Sequence, residues 1–218
     1  MRRLRRIVFV AAGLLAFVGC AKPLSPEEKL AAFTKEGWRL FSAGEYASAE
    51  EQFRQATEID FTDAGAQLGL GWSLLRQESL TAGANALLRV GARDTLAYAH
   101  AQAGLAVLYD AQGQFDRSIS AAEAVLVRDS LYVFPYDQRV DWRDLCYLLA
   151  KNYLVLSPQT DPDLSRALRY LRRIDPSPAL VAADSTTWTA DGRLYSTLAE
   201  AVLKRLETVQ RTVSGTAS

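Results

Sequence analysis

The sequence is poor in the residues from which catalytic and metal centres are usually built. Its 218 residues include one histidine, two cysteines and one methionine. A single histidine excludes a His-cluster metal site, and two cysteines exclude a disulfide-rich scaffold and a four-thiolate zinc site. Excess charge is missing too, since 25 Lys and Arg balance 25 Asp and Glu. A nucleic-acid binder normally carries a clustered basic excess. Of the seven prolines none falls between Glu27 and Phe134, so that whole stretch is open to helix. The uncharged run from Ile7 to Gly19 would rise only about 20 Å as a helix, short of the roughly 30 Å needed to span a bilayer core. What the chain does have is apolar content, 49%, enough to fold rather than remain a disordered tail.

The N-terminus reads as an export signal. Arg2, Arg3, Arg5 and Arg6 precede the apolar run, and no acid occurs before Glu27. A basic segment followed by a short apolar stretch is the pattern of a signal peptide. Its end, Phe17-Val18-Gly19-Cys20, resembles the cleavage box of bacterial lipoproteins, although Phe17 stands where Leu is usual. The resemblance implies that 1–19 is removed and that Cys20 is acylated, with 20–25 as anchor and short linker. An ordinary signal peptide that happens to contain a Cys is the alternative. Three acyl chains would exceed the two hydrophobic signals needed for stable attachment. Ala21 is not the Asp that commonly retains lipoproteins at the inner membrane, so the resemblance points to the outer membrane, facing the periplasm. Loss of the four signal arginines leaves 21 basic against 25 acidic groups, a net of −4. Attachment to anionic lipid would then come from the acyl chains rather than from bulk charge.

The body of the chain repeats itself. Ser25-Pro26-Glu27-Glu28 is a capping box with proline at the first helical position, and apolar residues then recur at helical spacing. No run is read as an alternating strand. Gly37-Trp38 reappears 34 residues later as Gly71-Trp72, Tyr46 as Leu80, Phe53 as Leu87 and Ala56 as Val90. A further 35 residues reach Ala106, Phe115, Ala122 and Val125. The pattern Gly44-x-Tyr46-x-x-Ala49-x-x-x-Phe53-x-x-Ala56 resembles the second half of a tetratricopeptide (TPR) repeat. The resemblance implies an all-α, right-handed solenoid of antiparallel helix pairs over 26–176, with three clear repeats and a degenerate fourth over about Trp142 to Asp175. Leu131 to Tyr136 falls outside the pattern, as an irregular connection packed on the solenoid or a protruding contact loop; packing is expected. Beyond a connecting segment at 177–190, residues 191–211 carry Leu194, Leu198, Val202, Leu206 and Val209 on one face. They are expected to form a C-terminal capping helix, followed by a tail at 212–218.

Each candidate for chemistry has a structural rival. His100 stands alone, so a triad lacks its base. Cys146 lies in an apolar helical context and is expected to be a core thiol. Gly69-Leu70-Gly71 lacks the third glycine and the preceding strand of a dinucleotide fingerprint, and is assigned to a helix–helix seam. Asp161-Pro162-Asp163 lacks the rest of a calcium loop and is read as helix capping. Glu50-Glu51 is placed on an exposed helix face. No enzyme signature, cofactor or metal site is expected.

The expectation that remains is a binding surface. By resemblance, the first helices of TPR pairs line a concave groove. Carried over residue by residue, this groove holds Trp38, Phe41, Trp72, Leu75, Arg76, Val107, Asp110, Tyr147, Lys151 and Leu154. Trp38 and Trp72 serve either as binding anchors, since Trp dominates interface hot spots, or as packing between the helices of a pair. The expected function is a membrane-anchored adaptor that captures a protein or peptide partner in envelope or outer-membrane complex assembly. The alternative is a docking regulator of a cell-envelope enzyme such as a peptidoglycan hydrolase.

Overall fold

The computed structural model describes the backbone of residues 23–156 and 161–174, with side chains for all of these but 161–164. The signal peptide, Cys20, the 177–190 connection, the 191–211 helix and the tail lie outside the described residues. Eight helices follow in order: α1 Pro26–Ser42, α2 Tyr46–Ile59, α3 Ala64–Arg76, α4 Leu80–Leu88, α5 Thr95–Ala111, α6 Phe115–Arg128, α7 Trp142–Leu156 and α8 Asp161–Ile174. They form four pairs, each an A helix (α1, α3, α5, α7) and a B helix (α2, α4, α6, α8). Each of the first three B helices packs between its own A helix and the next. Each A helix also touches the following A helix, so the A helices make one continuous row. The expected helix-pair solenoid is present.

Local chemistry sets the helix ends. Ser25 caps α1, its hydroxyl accepting from the Glu28 amide at 3.2 Å while the Glu28 carboxylate accepts from the Ser25 amide at 2.7 Å. Asp63 caps α3 by accepting from the Ala66 amide at 2.7 Å. Asp94 caps α5 by accepting from the amides of Leu96 and Ala97. Each of the first three A helices then ends in the same turn. A residue at left-handed φ follows it: Gly44 at 82°, Glu78 at 60° and Gly113 at 71°. The next amide closes back onto the helix, from Glu45 to the Leu40 carbonyl, Ser79 to Leu74 and Gln114 to Tyr109. Two of the three turns use glycine, which enters this region without steric cost; Glu78 has a Cβ there and is strained.

Packing between pairs depends on missing side chains. Phe53 of α2 is fully buried between Gly37 of α1 and Gly69 of α3. A Cβ at those glycines would lie 2.7 Å and 2.1 Å from its ring. One repeat on, Leu87 fills the gap between Gly71 and Gly104, where a Cβ would approach to 2.5 Å and 2.6 Å. The glycines of Gly69-Leu70-Gly71 are therefore seam residues. Repeat two departs from the pattern in one respect. Both of its helices are short: α3 has 13 residues against 17 in α1 and α5, and α4 has 9 against 14 in α2 and α6.

Two substitutions test this account by chemical denaturation. Glu78→Gly should raise stability by about 0.5–1 kcal/mol, the αL penalty less the extra entropy of glycine. Gly69→Ala should cost about 1–3 kcal/mol, because Phe53 is held by Gly37 on its other side and cannot retreat. Both should move the denaturation midpoint without altering the slope.

Candidate functional site

The A-helix face is the surface on which the sequence places a groove, and the structure divides it in two. Its first half is already filled. The connection from α6 to α7 folds as a short finger over 129–141. The Leu131 amide donates to the Asp129 carboxylate at 2.9 Å, Phe134 N to Val140 O at 2.8 Å, and Trp142 N to Tyr132 O at 2.7 Å. Val133 and Asp141 form an antiparallel bridge. Along this finger side chains alternate as on a strand. Tyr132 and Phe134 are buried and Tyr136 half-buried, while Leu131, Val133 and Pro135 face out. The bridge is isolated and no strand forms among the described residues, as the sequence reading expects.

The aromatic edge of the finger crosses the A helices. Phe134 stacks on Trp72 of α3 at 4.2 Å and lies edge-on to Trp38 of α1 at 6.1 Å and His100 of α5 at 5.5 Å. Tyr136 stacks flat on Trp38 at 3.6 Å. Such ring contacts add about 0.5–1.5 kcal/mol each beyond area burial. Trp72 donates its indole N–H to the His100 carbonyl at 3.2 Å, and the His100 ring meets the Tyr132 hydroxyl at 3.1 Å. Burial holds the His100 ring below its ordinary pKa, and the nearby Asp94 opposes this in part. At the rim, the Ser42 hydroxyl donates to the Tyr136 carbonyl. Asp137 is paired with Arg76 and with Arg139. Burial raises the Asp137 pKa, but the Arg139 hydrogen bonds and the Arg76 charge outweigh it and hold the carboxyl low.

Trp38, Phe41 and Trp72 are therefore 8%, 2% and 1% exposed and are closed to a partner. Of their two possible roles the structure gives them packing, because the chain's own finger takes the place of a ligand. The remaining expected groove residues, Leu75, Arg76, Val107, Asp110, Tyr147, Lys151 and Leu154, are all half-buried. Among them Lys151 of α7 pairs with Asp110 of α5 at 2.6 Å. The Arg76 Nε is buried without a hydrogen-bond partner among the described residues. Burial and the Asp110 charge push the Tyr147 phenol up, and burial pushes the Asp144 carboxyl up. The open half of the face thus mixes apolar Leu75, Val107 and Leu154 with the ion-paired Arg76, Asp110 and Lys151.

The other candidates resolve into structure. Cys146 is fully buried, and burial pushes its thiol up to about 11, the state of an inert core residue. Glu50 is half-buried rather than exposed, paired with Arg54 and accepting from Gln77. Among the described residues no group of His, Cys, Asp or Glu is placed to hold a metal ion, and no described helix is long and apolar enough to cross a membrane. The finger residues Tyr132, Phe134 and Tyr136 were absent from the expected site. Their signal was available, as aromatics at every second position in a chain otherwise of helical period.

No protein-family model matches the chain, and neither does any curated protein. Among solved structures it is similar to a Podosopora anserina protein described as a kinesin light chain with nearly identical TPR-like repeats. The TM-score is 0.51 at 16% identity, over 87% of this chain and 98% of that one. That likeness, with eight described helices in four pairs, gives the fold as a TPR-like solenoid.

The finger is tested by truncation. Phe134→Ala should cost about 3–5 kcal/mol, whereas Val133→Ala, on the outer edge, should stay within about 0.5 kcal/mol. Urea unfolding followed by tryptophan fluorescence reads both, since Trp38 and Trp72 report on the finger directly.

Proposed function

We propose that this chain is a lipid-anchored scaffold that binds a protein partner on the open half of its A-helix face. The observation that carries the reading is the arrangement of that face. Four helix pairs present a continuous row of A helices, with the apolar half occupied internally and Arg76, Asp110, Tyr147 and Lys151 left at the surface. A charged, half-open face selects partners by complementary charge and orientation. The lipoprotein-type box at Cys20 supports anchorage at a bacterial membrane, with the outer membrane facing the periplasm as the site. Adaptors of this kind serve envelope or outer-membrane complex assembly; docking an envelope enzyme such as a peptidoglycan hydrolase is the second role compatible with the same surface.

Two experiments test it. The Lys151→Glu variant, which sets a second acid beside Asp110, should lose captured partners from detergent-solubilised envelope while keeping its helical circular dichroism. Barrel- or pilus-assembly proteins among those partners support the adaptor role, and hydrolases support the regulatory one. For the anchor, the mature protein in denaturant should titrate one thiol, Cys146, because Cys20 is blocked. Two thiols, or fatty-acid labelling that persists in Cys20→Ser, would sink lipidation. Under native conditions Cys146 should not react at all.

A further inference from the structure

A second recess lies on the opposite side of the A helices, between α4 and α6. It is a shallow recess, largely open to solvent, of about 400 Å3. Its floor is one face of α5, running from Tyr98 through Gln102 and Leu105 to Tyr109; one wall is α6, and the facing wall is reduced to Leu88. Helix α4 stops about one turn short of α2 and α6, so the groove widens beyond Leu88, over the start of α5.

Three features of this groove are unexplained by the fold. Large apolar side chains stand exposed at it: Leu88 at 58%, and Val127, one turn beyond the wall residue Ala124, at 86%. Gln102 sits in the floor, half-buried, with no hydrogen-bond partner among the described residues. The rim is basic in a chain whose mature form is acidic. Arg117 lies over the Tyr109 ring at 5.3 Å and Arg128 over Tyr98 at 5.6 Å. Against these stand Asp116 and Asp94, and the Asp94 carboxylate is committed to the amides of α5.

We propose that this groove docks an acidic amphipathic helix of a partner protein, laid along α5 between Leu88 and α6. An apolar stripe at i, i+4 and i+7 meets Leu88, Leu105 and Ala124, carboxylates meet Arg117 and Arg128, and Gln102 serves a polar group of the docked helix. The floor from Tyr98 to Tyr109 accommodates about three turns, roughly 16 Å. This is helix-in-groove recognition on the face away from the finger, and it does not depend on the role assigned to the open A-helix face.

The test uses a labelled synthetic helix of about three turns, with leucines at i, i+4 and i+7 and glutamates elsewhere, against the folded chain by fluorescence anisotropy. The glutamate helix should bind, more weakly as salt rises, and a lysine analogue should not. Arg117→Glu with Arg128→Glu should weaken the glutamate helix by at least about tenfold and admit the lysine one, with unchanged circular dichroism. Ser120→Trp, which fills the groove without a charge change, should abolish both. Lys151→Glu on the other face should bind the glutamate helix as the parent does. Equal binding of the two helices, no binding of either, or indifference to Ser120→Trp overturns the proposal. Binding to phosphatidylglycerol vesicles with no binding of the helix overturns it in favour of a lipid surface.

Discussion

The interaction on which the rest of the molecule depends is the insertion of Phe134 among Trp38, Trp72 and His100. A helical-repeat array is ordinarily close to one-dimensional, each unit touching only its neighbours. Here a segment from between the third and fourth pairs returns to the first. Tyr136 meets Trp38 and Ser42 of α1, Asp137 meets Arg76 of α3, and Tyr132 meets His100 of α5. Contacts separated by more than ninety positions in sequence fix the relative setting of three pairs at once. Closing such a loop costs entropy that grows only with the logarithm of its length. A few buried ring contacts and one doubly paired carboxylate are of the right size to offset it.

The same insertion decides which half of the A-helix face stays open. The apolar positions of repeats one and two are consumed by the finger, and Asp137 draws Arg76 to its edge. Beyond that edge α5 and α7 contribute Asp110 and Lys151, paired across the helix interface, with Tyr147 and Leu154 alongside.

Most of the architecture was legible because it rests on short-range pattern. The recurrence of Gly37-Trp38 as Gly71-Trp72 and of Phe53 as Leu87 encodes the seam directly, since each small residue is the space its large neighbour fills. Ser25, Asp63 and Asp94 mark helix starts by side chains that act within three residues. The fate of the tryptophans was not legible, because what covers Trp72 is Phe134, sixty-two positions later in the chain. Nothing in the local pattern around Trp72 distinguishes a ring stacked by its own chain from one awaiting a ligand. Alternation over Tyr132, Phe134 and Tyr136 was visible, but a run of six residues is too short to overrule the helical period on either side of it. Glu78 was hidden for a different reason: only alignment of its turn with those of Gly44 and Gly113 reveals that a side chain occupies a glycine position.

The irregularities of this solenoid share a logic. A regular array would have apolar A-helix positions open along its whole inner row and B helices of equal length along its outer row. The finger removes the first, and the early end of α4 interrupts the second. Both changes are local in sequence, an aromatic insertion after α6 and a shortened α4, yet each alters a face. Because Phe134 contacts Trp38 of α1, Trp72 of α3 and His100 of α5 together, the finger ties the first pair to the third, and both faces keep a defined position relative to the start of α1.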